Sequence, residues 1–316
     1  MKLALSILVL LAVAWLLTLW RANAREAAAE AAYPPSGQFV TLASGQRIHA
    51  VVSGSGPDIV LIHGASGSVR DWTFEMRDRL ATRYRVIALD RPGFGWSDPF
   101  PQGAGTITEQ AGALQEAAAL LGAERPVVLG HSYGGAVAIA WAAELPDTLS
   151  ALVMLAGVSH TWDGGIDLLY RVTGRSLGAA IAVPLLTAWV SDGYVARTID
   201  SVFAPQPAPA GYGAHFGPAM TLRRQTMRIN AAERVGLYDE IAALMPSYAT
   251  LPMPIEIVHG GADDIVPVRI HSQPLHETAP DTVLTVLDGI GHMPHHSAAE
   301  AVEAAIDRAA ARAGMR

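Results

Sequence analysis

Gly130-His131-Ser132-Tyr133-Gly134 sets a serine between two glycines, where the β-branched run at Val127-Val128 gives way to an alanine-rich segment ending near Glu144. Such flanks permit a tight strand-to-helix turn that lifts the serine hydroxyl to the amino end of a helix, where it acts as a nucleophile. Neutral serine attacks poorly near pH 7, so it needs a base, and the base needs an orienting acid. Eleven histidines compete for the first role. His292 ends the last strand-like run, in "LDGIGHMPHH", and open α/β sheets gather their reactive groups at the carboxyl ends of strands. For the acid, "IVHGGADDIVPV" supplies Asp263 and Asp264 just after the preceding strand. Serine, aspartate and histidine then follow in the order Ser…Asp…His that accompanies a nucleophile on a strand–turn–helix elbow. The chemistry implied is acyl transfer through a serine ester.

Other polar residues in these segments read differently. His295 and His296 start the helix that follows His292, and "HMPHH" invites a metal reading; no carboxylate cluster accompanies it in the sequence, so neither metal nor cofactor is expected. His63 and His131 stand at strand ends and are read as supports for the local turns, while Asp90, Ser97 and Asp98 of "DRPGFGWSD" are read as structural. With no cysteine, covalent catalysis must use another residue. A formal charge of −7 offers no basic surface for a phosphate backbone, so nucleic acid is not an expected partner.

Elements able to hold these residues follow from the pattern of apolar runs. "QFVTLASGQRIHAVVSG" reads as a hairpin, followed by strands at "DIVLIHG", "YRVIALD", "RPVVLGHS", "LSALVMLAG", "PIEIVHGG" and "TVLTVLDGIGH". Helical segments such as Ile107–Leu121, Gly134–Glu144 and Ala298–Ala311 separate most of them. Short, nearly all-apolar strands alternating with helices predict a mainly parallel sheet covered on both faces. Between about Ser159 and Pro252 no strand pattern appears; two helical patches and a Pro, Gly and Ala-rich loop over 203–218 predict a helical cap over one edge of the sheet. Residues 1–21 hold an apolar run from Leu3 to Trp20, long enough for a membrane anchor, with a cleaved signal peptide ending near Ala24 as the alternative. Lys2 would keep the amino terminus inside and the catalytic domain outside, a periplasmic placement. Residues 22–37, alanine-rich and stopped by Pro34-Pro35, read as a juxtamembrane helix or linker before a domain over 38–316.

Over nearly all of Gln38–Arg316 the chain resembles the α/β-hydrolase family, through "HGASGS", "DRPGFGWSD", "GHSYGG", "HGGADDIVP" and "GIGHMPH". The resemblance implies an eight-stranded, mostly parallel α/β sheet and a triad of Ser132, Asp263 and His292. It puts the acid on Asp263 and leaves Asp264 in a variable position, with Asp163 and Asp167 as fallback acids. It also implies an oxyanion hole built from the backbone N–H groups of Ala65 and Tyr133. Serine at the elbow, where the haloalkane dehalogenase and epoxide hydrolase branches carry aspartate, argues against those branches. The expected substrate is a small-molecule ester of an apolar acyl group, such as a monoacylglycerol, met near the membrane. C–C bond hydrolysis or cofactor-free perhydrolysis with the same triad is one alternative, and a non-catalytic binding protein on this fold is another.

Overall fold

The computed structural model describes residues 1–315. Eight strands form one sheet: β1 (Gln38–Thr41), β2 (Arg47–Ser53), β3 (Asp58–Ile62), β4 (Arg85–Leu89), β5 (Val127–His131), β6 (Ala151–Leu155), β7 (Ile255–Gly260) and β8 (Thr282–Leu287). Their spatial order is β1-β2-β4-β3-β5-β6-β7-β8. The β1–β2 hairpin runs antiparallel and pairs with β4 in the same sense, while every pairing from β4 to β8 is parallel. The central strands β5 and β6 are buried along their whole length, as parallel strands covered on both faces must be.

Two apolar layers provide that cover. On one face the helices Ile107–Leu120 and Tyr133–Glu144 pack against the sheet through Leu114, Val137, Ile139 and Trp141; on the other, Trp72, Met76 and the carboxyl-terminal helix Ala299–Arg312 do the same. Strand order reverses between β3 and β5, because β4 lies on one side of β3 and the next strands lie on the other. A crevice opens beyond the carboxyl ends of strands at such a reversal, and this is where α/β sheets bind ligands. The Gly64 loop leaves β3 at that point, and Ser132 follows β5.

The strandless interval folds as a helical cap, as the sequence predicts. Its main helices are Leu168–Thr173, Ser176–Trp189, Asp192–Phe203 and Arg224–Leu244. The interval over 203–218 is less irregular than expected, since it contains a short helix at Tyr212–Phe216.

The amino-terminal apolar run forms a helix long and apolar enough to cross a membrane, and it extends without a break from Lys2 to Ala32. Residues 22–32 are therefore part of this helix, and they are docked on the cap. The Arg21 Nε and Arg25 Nη1 groups donate to the Ala188 carbonyl at 2.7 and 3.3 Å, satisfying an acceptor at the end of a cap helix that has no partner within the helix. Arg224 binds Glu26 through its backbone N–H and two guanidinium nitrogens, and Trp189 Nε1 donates to Thr18 Oγ1 at 3.1 Å.

Candidate active site

The elbow at Ser132 is shaped by what its glycines leave out. A Cβ at Gly130 would overlap the Gly134 carbonyl, and one at Gly134 would overlap the carbonyls of Ile62 and His63. Only bare backbone lets the helix Tyr133–Glu144 start this close to β3 and β5. Ser132 itself takes φ 54° and ψ −119°, a strained backbone for a residue with a side chain. Its N–H donates to Leu155 O at 3.0 Å and its carbonyl accepts from Val158 N at 3.1 Å, so the strain is held from both sides by the β6 end.

Around this elbow the structure gathers His292 and Asp263 and leaves out the other candidate acids. His292 Nδ1 lies 2.7 Å from Asp263 Oδ2, both groups are buried, and Ser132 and His292 line one cavity. No hydrogen bond joins the Ser132 hydroxyl to His292 among the described residues; such contacts often tighten only when substrate is bound. Asp263 is fixed on its other oxygen by the N–H groups of Ile265 and Val266, each at 2.9 Å. Burial pushes its carboxyl up, but hydrogen bonds from His259 and His292 outweigh that and hold it well below the usual carboxylate range. Asp264, Asp163 and Asp167 are exposed, and Asp167 caps a cap helix by accepting from Leu169 N at 2.9 Å.

The Ala65 and Tyr133 N–H groups have no acceptor among the described residues, which leaves both donors available. Ala65 and Gly64 line the same cavity as Ser132. The next residue, Ser66, sits at φ 57° and is held entirely by the cap. Its N–H donates to Asn230 Oδ1 at 2.9 Å, its hydroxyl accepts from Asn230 Nδ2 at 3.1 Å, and its carbonyl accepts from Thr221 Oγ1 at 2.7 Å.

His63 and His131 support the turns as expected: His63 Nδ1 donates to the Gly64 carbonyl at 2.8 Å, and both rings also have longer-range partners. His63 Nε2 accepts from Arg91 N at 2.9 Å, and burial lowers its pKa to about 4. Arg91 is wholly buried: it reaches the carbonyls of His63 and Gly64 and forms an ion pair with Glu233 of the cap at 2.7 Å. Burial raises the Glu233 carboxyl to about 7, with Arg91 opposing. His131 Nε2 lies 2.9 Å from the His292 carbonyl, tying the elbow to the loop of the base. Asp90 accepts from Val69 N, Trp96 N and His49, so it is a structural bracket, and Asp98 pairs with Arg47.

One cluster went unseen in the sequence. Asp71, on the short helix Val69–Thr73, accepts from His295, His296 and the Tyr212 hydroxyl at 3.1, 2.9 and 2.8 Å. Burial pushes the Asp71 carboxyl up, yet the two histidines hold it well below the ordinary range. The carboxylate that "HMPHH" lacks nearby in sequence thus comes from 224 residues away.

Above the elbow, cap and sheet enclose a cavity of about 320 Å³. Tyr194, Ile199, Val202, Phe216, Leu222 and Met227 of the cap are among the residues of its apolar wall.

Comparison with known proteins agrees with this architecture. The sequence profile of the alpha/beta hydrolase family matches residues 59–305, and the chain belongs to that family. It is a hydrolase. It is 29% identical to haloalkane dehalogenase 2 of Mycobacterium tuberculosis, over 82% of this chain and 90% of that protein. It is 30% identical to the putative carbamate hydrolase RutD of Cronobacter turicensis, over 75% of this chain and 84% of that one. Among solved structures, a bacterial membrane phospholipase A aligns with a TM-score of 0.65 and 21% identity over 98% of both chains, so the shared fold takes in the amino-terminal helix.

Proposed function

We propose that this protein is a membrane-anchored serine hydrolase that cleaves carboxylic esters of apolar acyl groups, monoacylglycerol or a similar lipid ester, through an acyl-enzyme. The observation that carries this reading is the strained Ser132, which shares a largely apolar cavity with His292, whose far nitrogen is held by Asp263. In the proposed sequence His292 takes the Ser132 proton as the hydroxyl attacks the acyl carbonyl. The Ala65 and Tyr133 N–H groups receive the developing oxyanion, a kind of contact whose loss typically costs about 3–4 kcal/mol. His292 then protonates the departing alcohol, and water, deprotonated by the same ring, releases the acid. Asp263 keeps the proton of the resting imidazole on Nδ1, so that Nε2 faces the serine.

The relatives include a haloalkane dehalogenase, but the elbow residue here is serine, and an alcohol nucleophile directs the chemistry to acyl carbonyls. The membrane reading is supported by the cap. Leu177, Ile181, Leu185 and Trp189 recur every fourth residue on one helix, are 81, 58, 42 and 49% exposed, and thus form an apolar stripe facing outward. The amino-terminal helix packs along this same cap helix through Arg21, Arg25 and Thr18. With Lys2 inside, the catalytic domain stands on the outer face of the membrane.

The test is hydrolysis of p-nitrophenyl esters and monoacylglycerols by wild type and Ser132→Ala, with fluorophosphonate labelling of membrane and soluble fractions. Labelled protein is expected in the membrane fraction only, and both labelling and turnover disappear with Ser132→Ala. Unchanged turnover in that variant would remove the nucleophile, and label in the soluble fraction would remove the anchor.

A further inference from the structure

One cation in the substrate cavity has no acid to meet. Arg234, partly buried on the cap helix Arg224–Leu244, lines the cavity with Ser132 and His292, and its guanidinium makes no hydrogen bond or ion pair among the described residues. Other arginines at the cap are matched: Arg223 and Arg224 meet Glu30 and Glu26, and Arg91 meets Glu233. Around Arg234 the helix offers no such partner. The positions three and four residues away, where a pairing carboxylate would stand, are Asn230, Ala231, Leu237 and Tyr238. Its neighbour Glu233 turns to Arg91 instead. Asp71, the only carboxylate of the cavity lining among the described residues, already accepts from His295, His296 and the Tyr212 hydroxyl.

The guanidinium is nevertheless held in place. Its Cζ lies 4.3 Å from the ring centroid of Tyr170, which also lines the cavity, on the helix Leu168–Thr173. A contact of this kind steadies the charge but satisfies none of the N–H donors. Asn230 stands four residues earlier on the same helix, about 6 Å along its axis at 1.5 Å per residue, and it too lines the cavity. Asn230 is the residue that holds Ser66 beside Ala65, the proposed oxyanion donor. A group bound at Arg234 therefore sits roughly one helical turn beyond the oxyanion loop. The guanidinium fork matches the paired oxygens of a phosphate or carboxylate, and such charge-assisted bonds are about twice as strong as neutral ones.

We infer that Arg234 is a specificity-determining residue that selects esters of an apolar acid whose alcohol part carries an anionic oxyacid group, phosphate or carboxylate. The inference rests on the hydrolytic reading above and sharpens its substrate class, from a neutral glyceride to an acylated anionic alcohol. With the acyl chain against the apolar wall of the cavity, the anion falls to the alcohol side. The reaction is unchanged in kind. The acyl–oxygen bond breaks, water supplies the hydroxyl of the acid and the proton of the alcohol, and the anionic group departs intact on that alcohol.

The experiment uses the full chain in detergent and three short hexanoyl esters that differ only in the alcohol: glycerol, glycerol 3-phosphate and glyceric acid. Wild type is expected to favour an anionic ester over the neutral one by about tenfold or more in kcat/KM, through a lower KM, and the better of the two names the oxyacid. In Arg234→Gln that preference collapses. Arg234→Lys, which keeps the charge without the fork, retains part of it, and Arg125→Gln, exposed at the opposite end of β5, retains all of it. Equal kcat/KM on the three esters in wild type, or a preference that survives in Arg234→Gln, overturns the assignment. A calorimetric arm separates this from the hydrolytic reading: hexyl phosphate or hexanoate, which cannot be hydrolysed, should bind wild type about tenfold more tightly than hexanol and lose that advantage in Arg234→Gln. If no ester is cleaved yet this difference holds, hydrolysis falls and the anion subsite stands. If esters are cleaved with no Arg234-dependent preference, hydrolysis stands and the subsite falls.

Discussion

Asn230→Ala is the most informative single substitution for the hydrolytic reading, because Asn230 belongs to the cap yet holds the loop that carries an oxyanion donor. Its side chain makes two of the three hydrogen bonds that pin Ser66, and Ser66 sits at φ 57° next to Ala65. A left-handed backbone at a residue with a side chain costs roughly 1–3 kcal/mol and persists only while its surroundings insist on it. Each hydrogen bond contributes about 1 kcal/mol net, so losing two leaves Thr221 alone against that strain. The loop then relaxes and the Ala65 N–H turns from the oxyanion position. Complete loss of one such donor lowers kcat about 100- to 1,000-fold; partial misalignment should lower it about 10- to 100-fold. Asn230→Asp keeps the acceptor for the Ser66 N–H and should recover part of the loss. The assay is kcat and KM on a short p-nitrophenyl ester, with Tm measured alongside. A kcat within twofold of wild type in Asn230→Ala would refute the reasoning, and a change confined to KM would mean that Asn230 only contacts substrate.

Other outcomes can be checked with the same preparation. Asp263→Asn should reduce kcat by about 10⁴, as loss of the tautomer-setting acid does in serine triads, whereas Asp163→Asn and Asp167→Asn should stay within twofold of wild type; the opposite ranking would move the acid. His63 and His271 have pKa values lowered by burial from 6.5 to about 4, so on acidification the unfolded chain takes up their protons first. Their stabilising contribution is complete above pH 6.5 and is lost progressively toward pH 4; a Tm that stays flat from pH 7 to 4.5 would contradict it. Glu26→Ala should cost only about 0.2–1 kcal/mol, because the Arg224 pair is partly exposed. It should nevertheless speed tryptic cleavage after Arg25, and an unchanged cleavage rate would show that the docking does not hold this segment.

What could be read in the sequence is what lies in contiguous segments. Strands, elbow, acid turn and base each occupy a short run whose residue types follow from local constraints, such as the bare backbone at Gly130 and Gly134. Hence Ser132, Asp263 and His292 stand out without a structure. Arg91 with Glu233, and Asp71 with His295, are separated by 142 and 224 residues, and each reads as an ordinary charge or ring in its own neighbourhood. Only the fold brings them together. The carboxylate that meets the histidines of "HMPHH" is a spatial neighbour only, so nothing in that run announces Asp71. The docking of residues 22–32 was hidden for a similar reason: an alanine-rich stretch announces a helix but does not say what its Glu26 and Glu30 will meet.

That docking gives the cap a mechanical position. Glu26 grips Arg224 at the start of the helix Arg224–Leu244, and Glu30 meets the neighbouring Arg223 at 3.1 Å. Two turns further along the same helix Asn230 holds Ser66, and one turn beyond that Glu233 meets Arg91, which reaches the Gly64 carbonyl. One rigid helix therefore touches the amino-terminal helix at its start and the Gly64–Ser66 loop through its next two contacts. A helix transmits displacement along its axis because its backbone hydrogen bonds resist bending. The cap also reaches the His292 loop, where Gln206 accepts from Gly291 N at 2.9 Å and donates to the Gly289 carbonyl at 2.8 Å, so moving the cap away from the amino-terminal helix would disturb the Ala65 and His292 loops together. In this arrangement the amino-terminal helix, the Ala65 loop and the His292 loop are coupled through the cap, while Asp263 is held at the end of β7.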